Sequence, residues 1–315
     1  MLAIKVQGER WFPSELTFAD EMVKNWGHWY CDSEFGKLKA VLLHRPGEEI
    51  EKVTKENFQD FRFRGYMDPI IARRQHDALA EMYRAHGVEV HYVKDQRKDR
   101  PNAMFMRDLV FMTPEGAIVG RPGIAPRRGE ERAVAATLAA LGVPIIKTIN
   151  GDGYFEGASA MWINQETVAI GTSSRTNKSG ADQVEAELRN IGVHNVIRTQ
   201  LPYGSLHLDG IMNMVDKDKA VVFPWQLAYD LAMELQNLGI KLIELTDIHE
   251  VKENLSINFV ALGPSKVIMA AGNPNTKAIL ESEGIEVLET DFSELLHGWG
   301  AVHCMTVFLN REPVA

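Results

Sequence analysis

Cysteine is scarce in this chain: Cys31 and Cys304 are the only two among 315 residues. Two cannot build a disulfide framework, and no pair has the close spacing of a zinc site. Lysine and arginine form no long block, and acidic residues outnumber basic ones, for a net charge of −9 and an isoelectric point near 5.6. A nucleic-acid footprint is therefore not expected. No run of about 18 apolar residues occurs, so no membrane span is expected. The opening stretch, Met1 to Arg10, has an apolar run too short and too interrupted by charge for a secretory signal. Low-complexity tracts and domain linkers are missing too. These absences leave a reduced, cytoplasmic protein as the expectation, with nothing that calls for a metal or cofactor. The 45% hydrophobic content is ample for a core.

What is present is a repeat. A hairpin pattern over Asp108 to Gly120 turns at Pro114-Glu115-Gly116. A helical pattern from Glu130 to Leu141 and a strand from Val143 to Lys147 follow it. The same order recurs: hairpin Ala160 to Gly171, helix Ala181 to Ile191, strand His194 to Arg198. It recurs again with hairpin Ile211 to Phe223, helix Leu227 to Leu238 and strand Lys241 to Leu245. A fourth unit has hairpin Phe259 to Ala270, helix Thr276 to Glu283 and strand Glu286 to Glu289. The strand Leu38 to Leu43 lacks a hairpin partner before it, and Val302 to Phe308 lacks one after it. Pairing the two completes a fifth unit with helix Pro69 to His86 and strand Glu89 to Val93. The predicted fold is α/β: a five-bladed propeller of hairpin–helix–strand repeats with pseudo-fivefold symmetry. An open α/β sheet is the alternative. Residues 1–35, rich in aromatics from Trp11 to Phe35, are read as an N-terminal arm, and residues 36–315 as a single catalytic domain. Residues 50–66 interrupt the first unit; their aromatic and basic character fits either a lid or a surface loop.

The repeat has a chemical consequence. Asp108 opens the first hairpin, and Glu156 precedes the second. His207 and Asp209 precede the third, Ser256 and Asn258 the fourth, and Cys304 lies in the closing strand. Equivalent positions in a cyclic array meet around one axis. A thiol, a histidine and three carboxylates gathered there suit a planar cation. Carboxylates accept paired hydrogen bonds from a guanidinium fork, and a thiolate can add to its central carbon. Cys304 is the candidate nucleophile and His207 the candidate acid and base. Asp108, Asp209 and Glu156 are the anchoring carboxylates. Each also has a plainer reading: a buried thiol, a packing histidine, turn-capping acids. Cys31 has no such company and reads as structural. His303, next to Cys304, reads as support. Without a ligand, the acids around Cys304 should keep its thiol from ionising easily and hold His207 protonated.

The order Asn102-x-x-Phe105-x-Arg107-Asp108, then Glu156-Gly157, then His207-Leu208-Asp209, then His303-Cys304-Met305-Thr306 resembles the guanidine-modifying superfamily. That group includes arginine deiminase, dimethylarginine dimethylaminohydrolase, arginine dihydrolase and the amidinotransferases. The resemblance runs from about Gly36 to Thr306. It implies the same propeller fold and a covalent thiol–amidino intermediate. It also implies substrate contacts. Asn102, six residues before Asp108, and the arginines nineteen after Asp108 and nineteen after Glu156, Arg127 and Arg175, fall where deiminases bind an α-carboxylate. Phe105 and Ser159 complete the candidate substrate contacts. Two departures stand out. The family's Glu-Gly-Gly-Asp is Glu156-Gly157-Ala158-Ser159 here, and the arginine five before the cysteine is Trp299.

The expected activity is hydrolysis of the guanidino group of arginine or a close relative, giving citrulline or ornithine and ammonia. One alternative is an amidinotransferase that passes the amidino group to an amine. Another is a propeller that only binds a cationic amino acid. The expected partner is a small guanidino molecule, with no nucleic acid or membrane; a homo-oligomer is left open.

Overall fold

A computed structural model of the chain describes residues 13–314. Trp11 and Phe12 of the expected arm lie outside the described residues. The fold is mixed α/β, built from five three-stranded sheets. The first joins the ends of the chain: β1 (Leu38–Leu43) is central, parallel to β2 (Glu89–Tyr92) and antiparallel to β15 (Val307–Arg311). The second contains β3 (Val110–Thr113), β4 (Gly116–Val119) and β5 (Ile145–Thr148). Next come β6 (Ala160–Asn164), β7 (Thr167–Thr172) and β8 (Asn195–Gln200). The fourth has β9 (Met212–Asp216), β10 (Lys219–Val222) and β11 (Lys241–Glu244). The fifth has β12 (Val260–Gly263), β13 (Lys266–Ala270) and β14 (Glu286–Thr290). In each, an antiparallel pair is extended by a parallel third strand.

Burial runs one way across the sheets. β3, β4 and β12 are buried almost throughout, whereas β5 and β11 are half-exposed. Neighbouring sheets touch through β15 and β3, β9 and β12, and β12 and β1. The turn before β6 rests on β3, and the turn before β9 rests on β6. The succession of contacts thus returns to its start.

A helix supplies the crossover to each third strand: α2 (Pro69–Ala85), α3 (Glu130–Leu141), α4 (Lys178–Asn190), α5 (Tyr229–Asn237) and α7 (Pro274–Ser282). Their starts are encoded locally. Asp68 accepts hydrogen bonds from Ile70 N at 2.8 Å and Ile71 N at 3.1 Å, with Pro69 in the first turn. Asn177 accepts from Gly180 N at 2.8 Å. α3 ends at Gly142 with φ of 80°, a conformation glycine adopts without a Cβ penalty. The hairpin turns are two residues long, from Pro114-Glu115 to Pro264-Ser265.

Three departures from the sequence reading concern the site. The closing strand begins at Val307, not Val302, so Cys304 sits in a turn before it. Met305 N reaches Ala301 O at 3.2 Å and Thr306 N reaches His303 O at 3.0 Å, which coils the chain where apolar alternation suggested extension. A short helix, α6 (Ile248–Lys252), capped by Asp247, leads into the turn before β12. At the N-terminus, α1 (Phe18–Asn25) is closed by a capping box between Thr17 and Asp20 and lies largely at the surface. The end of the expected arm is buried: Arg311 N bonds Tyr30 O at 2.8 Å, and Cys31 through Phe35 are buried in the body. No helix among the described residues is long and apolar enough to cross a membrane.

Candidate active site

The turns that enter the innermost strands carry the chemistry. A 3₁₀ turn at Met106–Leu109 holds Asp108, another at Gly157–Ser159 follows Glu156, and a third at Leu208–Gly210 holds Asp209 and follows His207. The first and second pack together, as do the second and third. Gly157 is required for this approach: a Cβ there would lie 2.5 Å from Arg107 O and 2.6 Å from Val110 O. The turns border a cavity of about 770 Å³ lined by Asn102, Phe105, Asp108, His207, Asp209 and Cys304, among others.

Asp209 is the hub of the thiol side. Its Oδ2 accepts from His303 Nδ1 at 2.8 Å and Asn258 Nδ2 at 3.0 Å, and lies 3.5 Å from Cys304 Sγ. Asn258 works at both ends. Its Nδ2 is 3.1 Å from Cys304 Sγ, while its Oδ1 accepts from Cys304 N at 3.0 Å and Ala301 N at 3.3 Å. One side chain therefore holds both the coiled turn and the sulfur. Beneath, His303 Nε2 reaches Glu34 Oε2 at 3.3 Å, and Arg107 Nη2 donates to Glu34 Oε1 at 2.7 Å. His303 is thus support, as its place beside Cys304 suggested, acting on Asp209.

His207 lies between two carboxylates. Its Nε2 is 2.6 Å from Glu156 Oε2, and its Nδ1 is 3.7 Å from Asp108 Oδ1. Burial opposes a charge on the ring, but Asp108 and the Glu156 hydrogen bond outweigh it and raise the His207 pKa. Burial also works against ionised Glu156, yet His207, Arg127 and Arg175 bring it down to about 2. Asp108 is shifted the other way: burial, with Glu156 and Asp209 nearby, raises it despite His207 and Arg127. Its Oδ1 is buried with no hydrogen-bond partner, an acceptor on the cavity awaiting a donor. Burial, then Asp209 and Asp108, push the Cys304 thiol well above its ordinary range. The site holds excess acceptors and an un-ionised thiol, and a planar cation would relieve both.

The expected substrate contacts divide. Asn102 and Phe105 border the cavity, and Phe105 packs so closely under the turn that a Cβ on Gly300 would lie 2.3 Å from its ring. Asn102 Nδ2 donates to Phe61 O at 2.9 Å. Arg175 borders the cavity and donates through Nη1 to Glu156 at 3.3 Å; its Nε and Nη2 have no hydrogen-bond partner among the described residues. Arg127 also borders the cavity, but most of its donors are engaged within the protein. Nη1 bonds Asp108 Oδ2, Nε and Nη2 bond Glu130 Oε2 at 3.0 and 2.8 Å, and Nη2 also reaches Phe105 O at 3.1 Å. It is a buried counter-ion. Ser159 is fully buried in its turn, its Oγ has no partner, and it does not border the cavity. Glu156 is not part of the wall either; it lies behind His207.

Asp108, Glu156 and His207 offer ligand atoms within 4.8 Å of one another, the spacing of a metal site. Arg127 and Arg175 already compensate the two carboxylates, so the group is charge-balanced without a divalent ion. Asn258 is the functional residue the sequence reading placed on the ring without assigning a role; its position before the fourth hairpin was the signal.

Residues 50–66 contribute Gln59, Arg62 and Phe63 to the cavity wall. Arg64 N bonds His297 O at 2.9 Å, and the Arg64 guanidinium stacks 4.9 Å over Trp299.

Known proteins share this architecture. A Pseudomonas aeruginosa dimethylarginine dimethylaminohydrolase, solved as a cysteine-to-serine variant with citrulline, superposes with a TM-score of 0.71 at 25% identity, covering 86% of this chain and 99% of that one. The N-terminal domain of a cyanobacterial arginine dihydrolase, solved with product, gives a TM-score of 0.75 at 18% identity, over 87% and 98%, a likeness of fold. Among sequences, an arginine deiminase of Bacillus cytotoxicus is 24% identical, with 90% of this chain and 99% of that protein covered. A protein of Bacillus subtilis named YkgA is 27% identical over 89% and 95%. The family model described as N,N dimethylarginine dimethylhydrolase, eukaryotic, matches residues 55–311, most of the chain. The chain belongs to that family of guanidine-modifying enzymes.

Proposed function

We propose that this protein is a cysteine-dependent hydrolase of the guanidino group of arginine or a close relative, built as a five-bladed propeller around its site and working in a reducing compartment. The observation that carries the reading is the convergence of Cys304 Sγ, the paired His207 and the unpartnered Asp108 Oδ1 on one cavity. A guanidinium seated there donates N–H groups to Asp108 and Asp209. Its charge offsets the acids that hold the thiol proton in place, so Cys304 gives its proton to solvent as substrate binds. Sulfur adds to the guanidino carbon. The C–N bond to the departing nitrogen breaks, and His207 supplies that nitrogen's proton. His207 then takes a proton from water, hydroxide adds to the same carbon, and the C–S bond breaks to return the thiolate while the new hydroxyl gives its proton to solvent and becomes the ureido carbonyl. The product is a ureido compound, citrulline when the substrate is arginine. Arg175 has N–H groups free for an α-carboxylate. Asn102, its amide NH₂ engaged with Phe61 O, offers Oδ1 to an α-ammonium.

The test is mass spectrometry of products from arginine, methylated arginine, agmatine and guanidinoacetate, with and without an added amine acceptor, alongside acid-quenched enzyme. Ureido product and an amidino-sized mass gain on the peptide containing Cys304 are expected. Product that appears only with the amine makes the enzyme an amidinotransferase. An adduct confined to Cys31 removes Cys304 as nucleophile.

A further inference from the structure

Asn258 is buried, borders the cavity and stands just before β12. Its amide can be oriented in one way only. Oδ1 lies 3.0 Å from Cys304 N and 3.3 Å from Ala301 N, and backbone N–H groups can only donate. The oxygen edge therefore faces the turn. The NH₂ edge has two hydrogens and meets two acceptors: Asp209 Oδ2 at 3.0 Å and Cys304 Sγ at 3.1 Å. Among the described residues, Asn258 is the side chain that donates to this sulfur. The thiol itself donates toward Asp209 Oδ2, at 3.5 Å.

The amide is held from behind. Asn213 Nδ2, on β9, donates to Ile257 O at 3.3 Å and to Phe259 O at 2.8 Å, so the backbone is clamped on both sides of Asn258. Asn258 O accepts from His303 N at 3.2 Å, and Asn258 N donates to Leu255 O at 2.9 Å. Leu255 has a φ of 51°, a left-handed conformation that is costly for a residue with a Cβ. A strained turn is thus kept where it aims one N–H at a sulfur. Burial, then Asp209 and Asp108, oppose an anion on that sulfur, and the Ala301 backbone and the Asn258 amide favour it. His207 borders the same cavity.

We propose that Asn258 is a catalytic residue whose amide N–H supports the sulfur as an anion at two moments of the reaction. The first is substrate binding, when the Cys304 proton passes to solvent and sulfur adds to the guanidino carbon. The second is breakdown of the adduct, when the C–S bond opens and its electron pair returns to sulfur. A lysine or arginine in this place would favour the thiolate too, but it would repel the guanidinium. A neutral amide does not, and it donates equally at every working pH. This rests on the reading of Cys304 as nucleophile.

The experiment follows alkylation of Cys304 by a neutral reagent, with methylguanidinium bound, from about pH 7 to 10. The unaltered protein is compared with Asn258→Ala and with Asn258→Asp, which keeps an oxygen for Ala301 N and Cys304 N but has no N–H edge. Both variants should react about 10–100-fold more slowly near neutral pH, the scale of one hydrogen bond to a charged group. The deficit should shrink as pH rises and hydroxide ionises the thiol without the amide's help. In the Cys304→Ala background, Asn258→Ala should change methylguanidinium affinity less than about threefold, so that the pocket itself is intact. No turnover is needed, so the hydrolase reading can fail separately, by absence of product from the unaltered enzyme. A deficit that does not change with pH, an Asn258→Asp protein that reacts like the unaltered one, or affinity lost as strongly as reactivity overturns the proposal.

Discussion

The two thiols of this molecule are both buried and both resist ionisation, yet their surroundings differ in one respect. Burial, with Glu34 nearby, pushes Cys31 up to about 12, and Arg311 and Arg107 oppose the shift. Its Sγ rests 3.4 Å from Ser33 O in closed packing. Cys304 is raised by burial and by Asp209 and Asp108, and no arginine figures among the main influences on it. Arginines act directly on the first thiol, whereas the second faces carboxylates, whose own counter-ions lie further off. What distinguishes the proposed nucleophile from the other thiol is not burial or the direction of its pKa shift but the carboxylates and the open cavity beside it.

The largest test of that contrast is deletion of each sulfur. Cys304→Ala should reduce turnover of the best guanidino substrate by at least about 10⁴-fold, as loss of a nucleophile does. Cys31→Ala should leave kcat/KM within about threefold, since only packing changes. Steady-state kinetics of the two variants checks this. Comparable losses in both would mean that the thiols are not distinguished by their sites.

Alkylation probes the missing cation directly. A neutral alkylating agent should react slowly with both cysteines of the free protein near neutral pH. A small guanidinium ligand that leaves the sulfur accessible should speed reaction at Cys304 by about 10–100-fold, the change expected for a thiol pKa lowered by one to two units. Cys31 should not respond. Peptide-resolved rates with and without ligand give the answer, and a fast, ligand-independent reaction at Cys304 would show that the protein makes its thiolate unaided.

Much of this was open to a reader of the sequence. Helix α3 falls where the 3.6-residue pattern puts it, and the hairpins fall within a few residues of their predicted bounds. Those elements declare themselves through period and turn chemistry, both local. Cys304, His207, Asp108 and Asp209 border one cavity because the repeat places equivalent turns together. What could not be read is where a side chain spends its hydrogen bonds. Arg127 and Arg175 occupy parallel places in the sequence, but Glu130, one turn along, captures the first. Val302 to Thr306 alternates like a strand, but Asn258, distant in sequence, ties Ala301 N and Cys304 N to one amide oxygen and coils it. Glu34 lies in the segment read as an N-terminal arm, where nothing in the sequence showed that it anchors both Arg107 and His303.

A finer comparison sets Glu156 against Glu34. Each is buried and brought down to about 2 from 4.5. Burial opposes both; Glu34 is lowered first by Arg107, a permanent cation, and then by His303, whereas Glu156 leans first on His207, which titrates. A carboxylate whose folded pKa is depressed stabilises the fold above its unfolded value and loses that contribution as pH falls toward 2. A histidine whose folded pKa is raised stabilises the fold below about 6.5 and loses that contribution as pH rises through the folded value. Glu156 should therefore matter most between those limits, and Glu34, still paired with Arg107 when His303 is neutral, should keep more of its contribution into the alkaline range. The observable is the unfolding midpoint of the unaltered protein minus that of Glu156→Gln or Glu34→Gln, followed from pH 3 to 9. Differences of a few degrees are expected, narrowing at both ends for Glu156 and less at the alkaline end for Glu34. Matching profiles would remove His207 as the partner that matters.

The smallest effect belongs to the structural thiol itself. Cys31 is 1% exposed and packs within the core beside β1. Replacing it with alanine removes one sulfur's worth of contacts and leaves a void too small for water, which costs about 1 kcal/mol. Serine brings a different cost. Its hydroxyl can donate to Ser33 O, the acceptor the thiol already faces, but a polar group is then buried where a soft apolar one fitted. Both variants should lower the denaturation midpoint slightly with an unchanged denaturant slope, while arginine affinity and the ligand-induced alkylation of Cys304 stay as they were. If Cys31→Ala instead alters the response of Cys304 to a guanidinium ligand, the network from Glu34 through His303 to Asp209 transmits between the two sites, and the thiols are coupled rather than merely contrasted.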